Sequence, residues 1–200
     1  VGNHDIKGAD LREFPDGMAW FYYNDVPLNG PKLENFPEID GRTEQINAFE
    51  KANGERYPRT ANYAFRHGNV HLICLDANTY VDPTDSVLTN WIRKEFKGHK
   101  NEWRIVAYHH PGFNSSTAHY DYQLMRLLSP LLEELDVDLV LTGHVHNYQR
   151  SYPLRFAPEK DKNGKYKLAG TGRVNGTFTL DSEFDGKSIT KPKGKIGRAH

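Results

Sequence analysis

The sequence predicts an α/β layered fold, on three observations. Short apolar runs rich in β-branched and aromatic residues recur at 70–76, 103–108 and 137–142, as buried strands do. Between the first two lies a segment with helical period: Leu88, Trp91, Ile92 and Phe96 fall on one face at i, i+3, i+4 and i+8. Glycine and proline punctuate the joins, and strands alternating with helices imply layers rather than a bundle or an all-β sandwich.

Taken in order, residues 6–62 are loop-rich, because Pro15, Pro27, Pro31, Pro37 and Pro58 interrupt any long element. A short helix is expected from Thr43 to Ala52. Trp20 to Gly30 mixes aromatic and turn residues, which would allow a lid, but a surface excursion is the preferred reading. Asn62 to Arg66 alternates like a half-buried strand, His67-Gly68-Asn69 turns, and Val70 to Asp76 is a buried strand. The helix carrying Leu88 to Phe96 stops at Gly98. Trp103 to Tyr108 is the next strand.

Residues 121–128 return to helical spacing through Leu124, Leu127 and Leu128. Ser129-Pro130 then looks like an N-cap followed by proline at the first helical position. Val137 to Thr142 is the last buried strand. Beyond Lys160 the chain is rich in Lys, Gly, Asp and Thr. Only Thr177 to Leu180 suggests a strand there, Lys191-Pro192-Lys193-Gly194 suggests loop, and the tail 160–200 is expected to be weakly ordered.

Composition narrows the function. Two hundred residues, 37% hydrophobic and 26% charged, suit one globular domain. Lys plus Arg and Asp plus Glu number 26 each, which argues against a nucleic-acid-binding tail or a polybasic membrane anchor. No run reaches the length of a membrane span. Cys74 is the only cysteine, so there is no intrachain disulfide and no thiolate zinc cluster. Its neighbours Ile73 and Leu75 make it a small apolar strand residue.

The chemistry concentrates in three separated stretches: Gly2-Asn3-His4-Asp5, Val106-Ala107-Tyr108-His109 and Gly143-His144-Val145-His146. Each offers donors for hard or borderline metal ions, and the last two each follow an apolar strand, where loops converge at one sheet edge. Singly they are weak, since Gly-Asn-His-Asp is also a turn sequence and Gly-His-x-His arises by chance. His110 competes with His109 as a ligand. His67, His71, His99 and His200 are read as surface or structural residues.

In this order the three stretches resemble the metal-site half of the calcineurin-like metallophosphoesterases, and within them the purple acid phosphatase branch. Trp103-Arg104-Ile105-Val106, His110-Pro111, Asn114-Ser115 and Tyr148-Gln149-Arg150 are similar to that branch as well. The resemblance implies a four-layer β-sandwich flanked by helices, here incomplete. Family members open with Asp-x-His or Asp-x-Gly and then Gly-Asp, and no such dipeptide or tripeptide occurs here. The chain therefore looks like the C-terminal part of such an enzyme, a partial catalytic domain over 1–200.

Carried across by resemblance, Asn3, His109 and His144 ligate one ion and His146 its neighbour, leaving His110 structural or supporting. His4 sits over the phosphate, oriented by Asp5, and His119 contacts substrate. The implied activity is phosphomonoester hydrolysis by a metal-bridging hydroxide, with two ions drawn from Fe, Zn or Mn and a small phosphorylated substrate. A secreted or periplasmic location follows from resemblance alone. A phosphodiesterase of the same superfamily and a noncatalytic metal-binding relative are the alternatives. Neither the His-x-His-x-Asp-His of metallo-β-lactamase-type sites nor the His-Glu-x-x-His of zincins is present.

Overall fold

The computed structural model describes residues 1–98, 102–170, 172–181 and 184–187. His99, His200 and the Lys191–Gly194 loop lie outside the described residues. Four strands form the main sheet in the order β1 (Tyr63–His67), β2 (Val70–Leu75), β3 (Trp103–Tyr108), β4 (Leu139–Thr142). β1 and β2 make an antiparallel hairpin whose turn uses the left-handed backbone of Gly68, at φ 58°. β2, β3 and β4 run parallel. Leu75, Tyr108 and Thr142 lie level, so all three strands release the chain at one edge, with His109 and Gly143 the first residues beyond it.

Parallel strands need crossovers, and helices supply them. Between β2 and β3 runs α3 (Ser86–Phe96), capped by the Asp85 carboxylate, which accepts from the Val87 N–H at 2.7 Å. Gly98 follows its end in the left-handed region. Between β3 and β4 come a 3-10 turn at Leu124–Leu128 and α4 (Ser129–Glu134). Ile73, Leu75, Val106, Tyr108 and Val140 on one sheet face pack with Leu88, Ile92, Phe96, Leu131 and Leu132 of these helices. Arg93 ties α3 to α4 through paired 2.9 Å hydrogen bonds to Glu134. The alternate positions Leu72, Cys74, Ile105, Ala107 and Leu141 face the other way and stay half-buried or exposed, so one face of the sheet is covered and the other partly open. The α/β class holds.

Two details differ from the sequence expectation. Residues 124–128 are 3-10 rather than α, and Ser129 is not a cap. It is already helical at φ −51°, ψ −46°, because the 3-10 turn runs straight into α4 and leaves no extended residue to serve as one.

Residues 6–62 are loop-rich, yet they carry their own core. Between α1 (Trp20–Tyr23) and α2 (Thr43–Asn53), the side chains of Met18, Phe21, Phe49 and Ala61 close a second cluster. Phe21 is fully buried against Tyr57, ring to edge at 4.9 Å. Asn29 holds the backbone of Ala64 in both directions, at 2.8 and 3.0 Å. The 20–30 segment is thus fastened to β1, not hinged as a lid.

The C-terminal part holds more structure than its composition suggests. β5 (Leu154–Pro158) pairs with β8 (Gly176–Leu180), and β6 (Leu168–Ala169) with β7 (Arg173–Val174). Leu154, Phe156 and Val174 pack with Leu127 in a third cluster, and Glu133 of α4 accepts from the Phe156 N–H. Among the described residues no helix is long and apolar enough to cross a membrane.

Candidate metal centre

Three separate backbone devices bring donor atoms to the sheet edge. The first is a turn at the chain start: the Asp5 N–H bonds the Gly2 carbonyl at 3.1 Å, and the Asp5 carboxylate takes the Gly2 N–H at 2.7 Å. It presents Asn3. The second is the end of β3, which delivers His109. The third is the end of β4, where the Gly143 N–H bonds the His109 carbonyl at 3.0 Å and fixes the next residue, His144.

The outcome is a triangle of donors. Asn3 Oδ1 lies 2.9 Å from His109 Nε2, and His144 Nδ1 lies 3.1 Å from the same nitrogen. Adjacent ligands of an ion with bonds of about 2.1 Å are separated by about 3.0 Å in octahedral and about 3.4 Å in tetrahedral coordination. Two imidazole nitrogens and an amide oxygen suit zinc, manganese or iron. The donor set fits a metal.

Close approach needs small residues. A methyl group on Gly2 or Gly143 would meet the His109 ring at 3.3 Å. The left-handed backbone angle in this segment is carried by His144 itself, at φ 65°. A histidine in that region is uncommon and strained, as residues at functional sites often are.

Six imidazoles share the neighbourhood. His110 is buried with its ring 4.3 Å from that of His144, and ring nitrogens of His109, His110 and His144 all lie within 4.8 Å. No carboxylate among the described residues completes that group. His110 Nδ1 and His144 Nε2 are buried without hydrogen-bond partners. Burial lowers the pKa of His109. Burial, then repulsion from neighbouring imidazoles, pushes His110 and His144 down to about 4. Neutral imidazoles keep their lone pairs available to a metal.

His119 stands at φ 58°, its ring 4.1 Å from that of His144 and stacked on Tyr122. His4 and His146 are exposed, near enough for each to disfavour a charge on His109 and His144. The Asp5 carboxylate closes the Asn3 turn and makes no hydrogen bond to the His4 ring. Gln149 braces the 114–116 loop, its Oε1 accepting from the Ser115 N–H at 2.8 Å, while Tyr148 is exposed. Sequence reasoning gave His110 only a structural or supporting part and missed Tyr122, whose ring lies 5.3 Å from those of His110 and His144. An exposed loop tyrosine carries no periodic signal by which to find it.

Comparison with known proteins agrees with this chemistry. The calcineurin-like phosphoesterase family description matches residues 1–148. Purple acid phosphatase 18 of Arabidopsis thaliana is 35% identical over 133 residues, covering 63% of this chain and 30% of that protein. A phosphoenolpyruvate phosphatase of Allium cepa is 36% identical over 96 residues, 45% of this chain and 20% of its own length. An acid phosphatase of Aspergillus ficuum is 25% identical over 194 residues, 84% of this chain and 31% of its own. The chain thus spans less than a third of the length of these relatives. A solved purple acid phosphatase from yellow lupin seeds superposes with a TM-score of 0.43 at 18% identity, over 64% of this chain and 25% of that one.

Proposed function

Because the chain belongs to the calcineurin-like phosphoesterase family, we propose that its histidine cluster is the metal centre of a phosphatase acting on small phosphomonoesters. One observation supports this above the others: Asn3 Oδ1, His109 Nε2 and His144 Nδ1 converge at ligand spacing from three distant parts of the chain. These three hold one ion, and His146 is assigned to a neighbouring ion. The chemistry such ions supply when bound is charge neutralisation on the phosphoryl oxygens and a nucleophile at neutral pH.

The other residues position and protonate. His4, exposed beside the centre, is assigned to the leaving-group oxygen as hydrogen-bond donor or general acid. His119, over the His144 ring, faces substrate from the opposite loop. Asp5 keeps Asn3 in place through the Gly2 N–H. From this chain's own residues only His146 is assigned to the second ion, so slow turnover is expected of the chain alone.

The test is hydrolysis of 4-nitrophenyl phosphate and of bis(4-nitrophenyl) phosphate by the purified chain loaded in turn with zinc, manganese and iron. Chelator-sensitive release above the uncatalysed rate, faster for the monoester and lost in His109→Ala, is the expected result. Preference for the diester would make it a phosphodiesterase. A metal-loaded chain inert toward both esters would leave a binding module.

A further inference from the structure

A cavity of about 580 Å³ lies against the segment 143–147, and the phosphatase proposal makes no use of it. Gly143, Val145 and Asn147 line it, whereas the intervening His144 and His146 belong to the histidine cluster. The segment therefore has two working faces, one toward the metal centre and one toward the cavity. Phe113, Leu154, Phe178 and Leu180 form apolar walls, and the volume is that of a small-molecule site.

The polar groups lining the cavity are one-sided. Arg126 and Arg150 line it, and no aspartate or glutamate does. Arg126 is buried, and none of the ion pairs found among the described residues includes it. Its guanidinium donates to the Gly112 carbonyl at 2.5 Å and the Val174 carbonyl at 3.4 Å. The rings of Phe113, Phe156 and Phe178 surround it at 5.1 to 5.5 Å. Burial lowers its pKa, and Tyr120 offsets part of that. Carbonyls and aromatic faces offset only part of the cost of burying a cation, so an anion beside it is strongly favoured. The Ser151 hydroxyl, on the same cavity wall, is buried without a hydrogen-bond partner. A buried donor left unmade is an opening for a ligand acceptor.

Aromatic walls, two cations, an unmatched hydroxyl and no acid define the ligand by complementarity. We infer that the cavity is a second binding site, behind the metal loop, for a small planar organic anion of the aromatic carboxylate class. It stands independently of whether the metal centre hydrolyses phosphoesters.

Titrating the isotope-labelled chain by NMR with 4-hydroxybenzoate, and separately with the uncharged 4-hydroxybenzamide, tests it. A chelator is present throughout so that metal coordination contributes nothing. Saturable shifts in the amides of 112–115, 147–151 and 177–180 are expected, with the carboxylate bound about tenfold more tightly than the amide. Ser151→Ala should weaken the carboxylate about threefold, and Arg126→Gln should erase the preference over the amide. Should Arg126→Gln fail to fold, Arg150→Gln with Ser151→Ala makes the same comparison. The proposal is overturned by absence of saturable shifts in the folded chain, by equal binding of acid and amide, or by shifts confined to His109 and His144.

Discussion

His144 Nδ1 lies 3.1 Å from His109 Nε2, and the two rings meet at 75°. The residues leave adjacent parallel strands at one sheet edge, so the pairing is set by β-register rather than by loop chance. Two ring nitrogens this close can be bridged by a proton or can offer their lone pairs to one cation, and the second is the role proposed for them above.

Removing one member should remove the ion. His144→Ala is expected to lower metal affinity on the order of 100-fold or more, with little loss of stability, since the ring is partly exposed. Elemental analysis after dialysis should find about one ion per wild-type chain and none in the variant. Equal retention in both would move the ion away from His144.

The sheet was legible in the sequence because it follows local pattern. Apolar runs at 70–76, 103–108 and 137–142 are strands, and histidine directly beyond two strand ends is a position fixed by topology. Less legible features depended on contacts distant in sequence. β6 and β7 are two residues each, too short for any period, and are held by Val174 packing under Phe156. The fastening of 20–30 depends on Asn29 reaching Ala64, thirty-five residues away. His144 carries the left-handed angle next to Gly143, whose missing side chain leaves room for the His109 ring. No single-residue propensity announces such a trade.

That fastening makes Gly30 intolerant of any side chain. A Cβ there would stand 1.7 Å from the Asn62 carbonyl oxygen and 2.7 Å from that of Arg59, both backbone atoms that cannot swing aside. Gly30→Ala is expected to destabilise by about 3 kcal/mol. Urea unfolding measures it. A midpoint equal to wild type would show the backbone around Gly30 to be free to move.

Phe21 tests whether residues 6–61 fold with the sheet. It is fully buried among Met18, Phe49 and Tyr57. Truncation to alanine should cost about 3–5 kcal/mol, within a single cooperative transition if the two clusters are one unit. Tyr80 packs against both clusters, which favours one unit. Two separated transitions in the variant would mean that the N-terminal part unfolds by itself.

Asp76, directly after β2, gives the chain a pH dependence with a definite sign. The residue is fully buried. Its carboxylate accepts from the Asn78 backbone and side chain at 2.9 and 2.7 Å, and from the Tyr80 hydroxyl at 2.5 Å. Burial raises its pKa, and the hydrogen bonds from Tyr80 and Asn78 pull back only part of the rise. An unfolded aspartate titrates near about 3.9. Between that value and the raised one, the folded chain holds a proton that the unfolded chain has lost. Stability from this group is thus greatest at acid pH, falls as pH rises through the window, and is level above the folded pKa. Asp76→Asn keeps the shape and the oxygen that accepts from Asn78, turns the Tyr80 contact into one in which the amide donates, and removes the charge. Its stability relative to wild type should rise steadily as pH is taken up from about 4. Urea midpoints for both proteins across that range measure the difference. A constant difference, or one that shrinks with pH, would show the carboxylate to be ionised and comfortable in the fold.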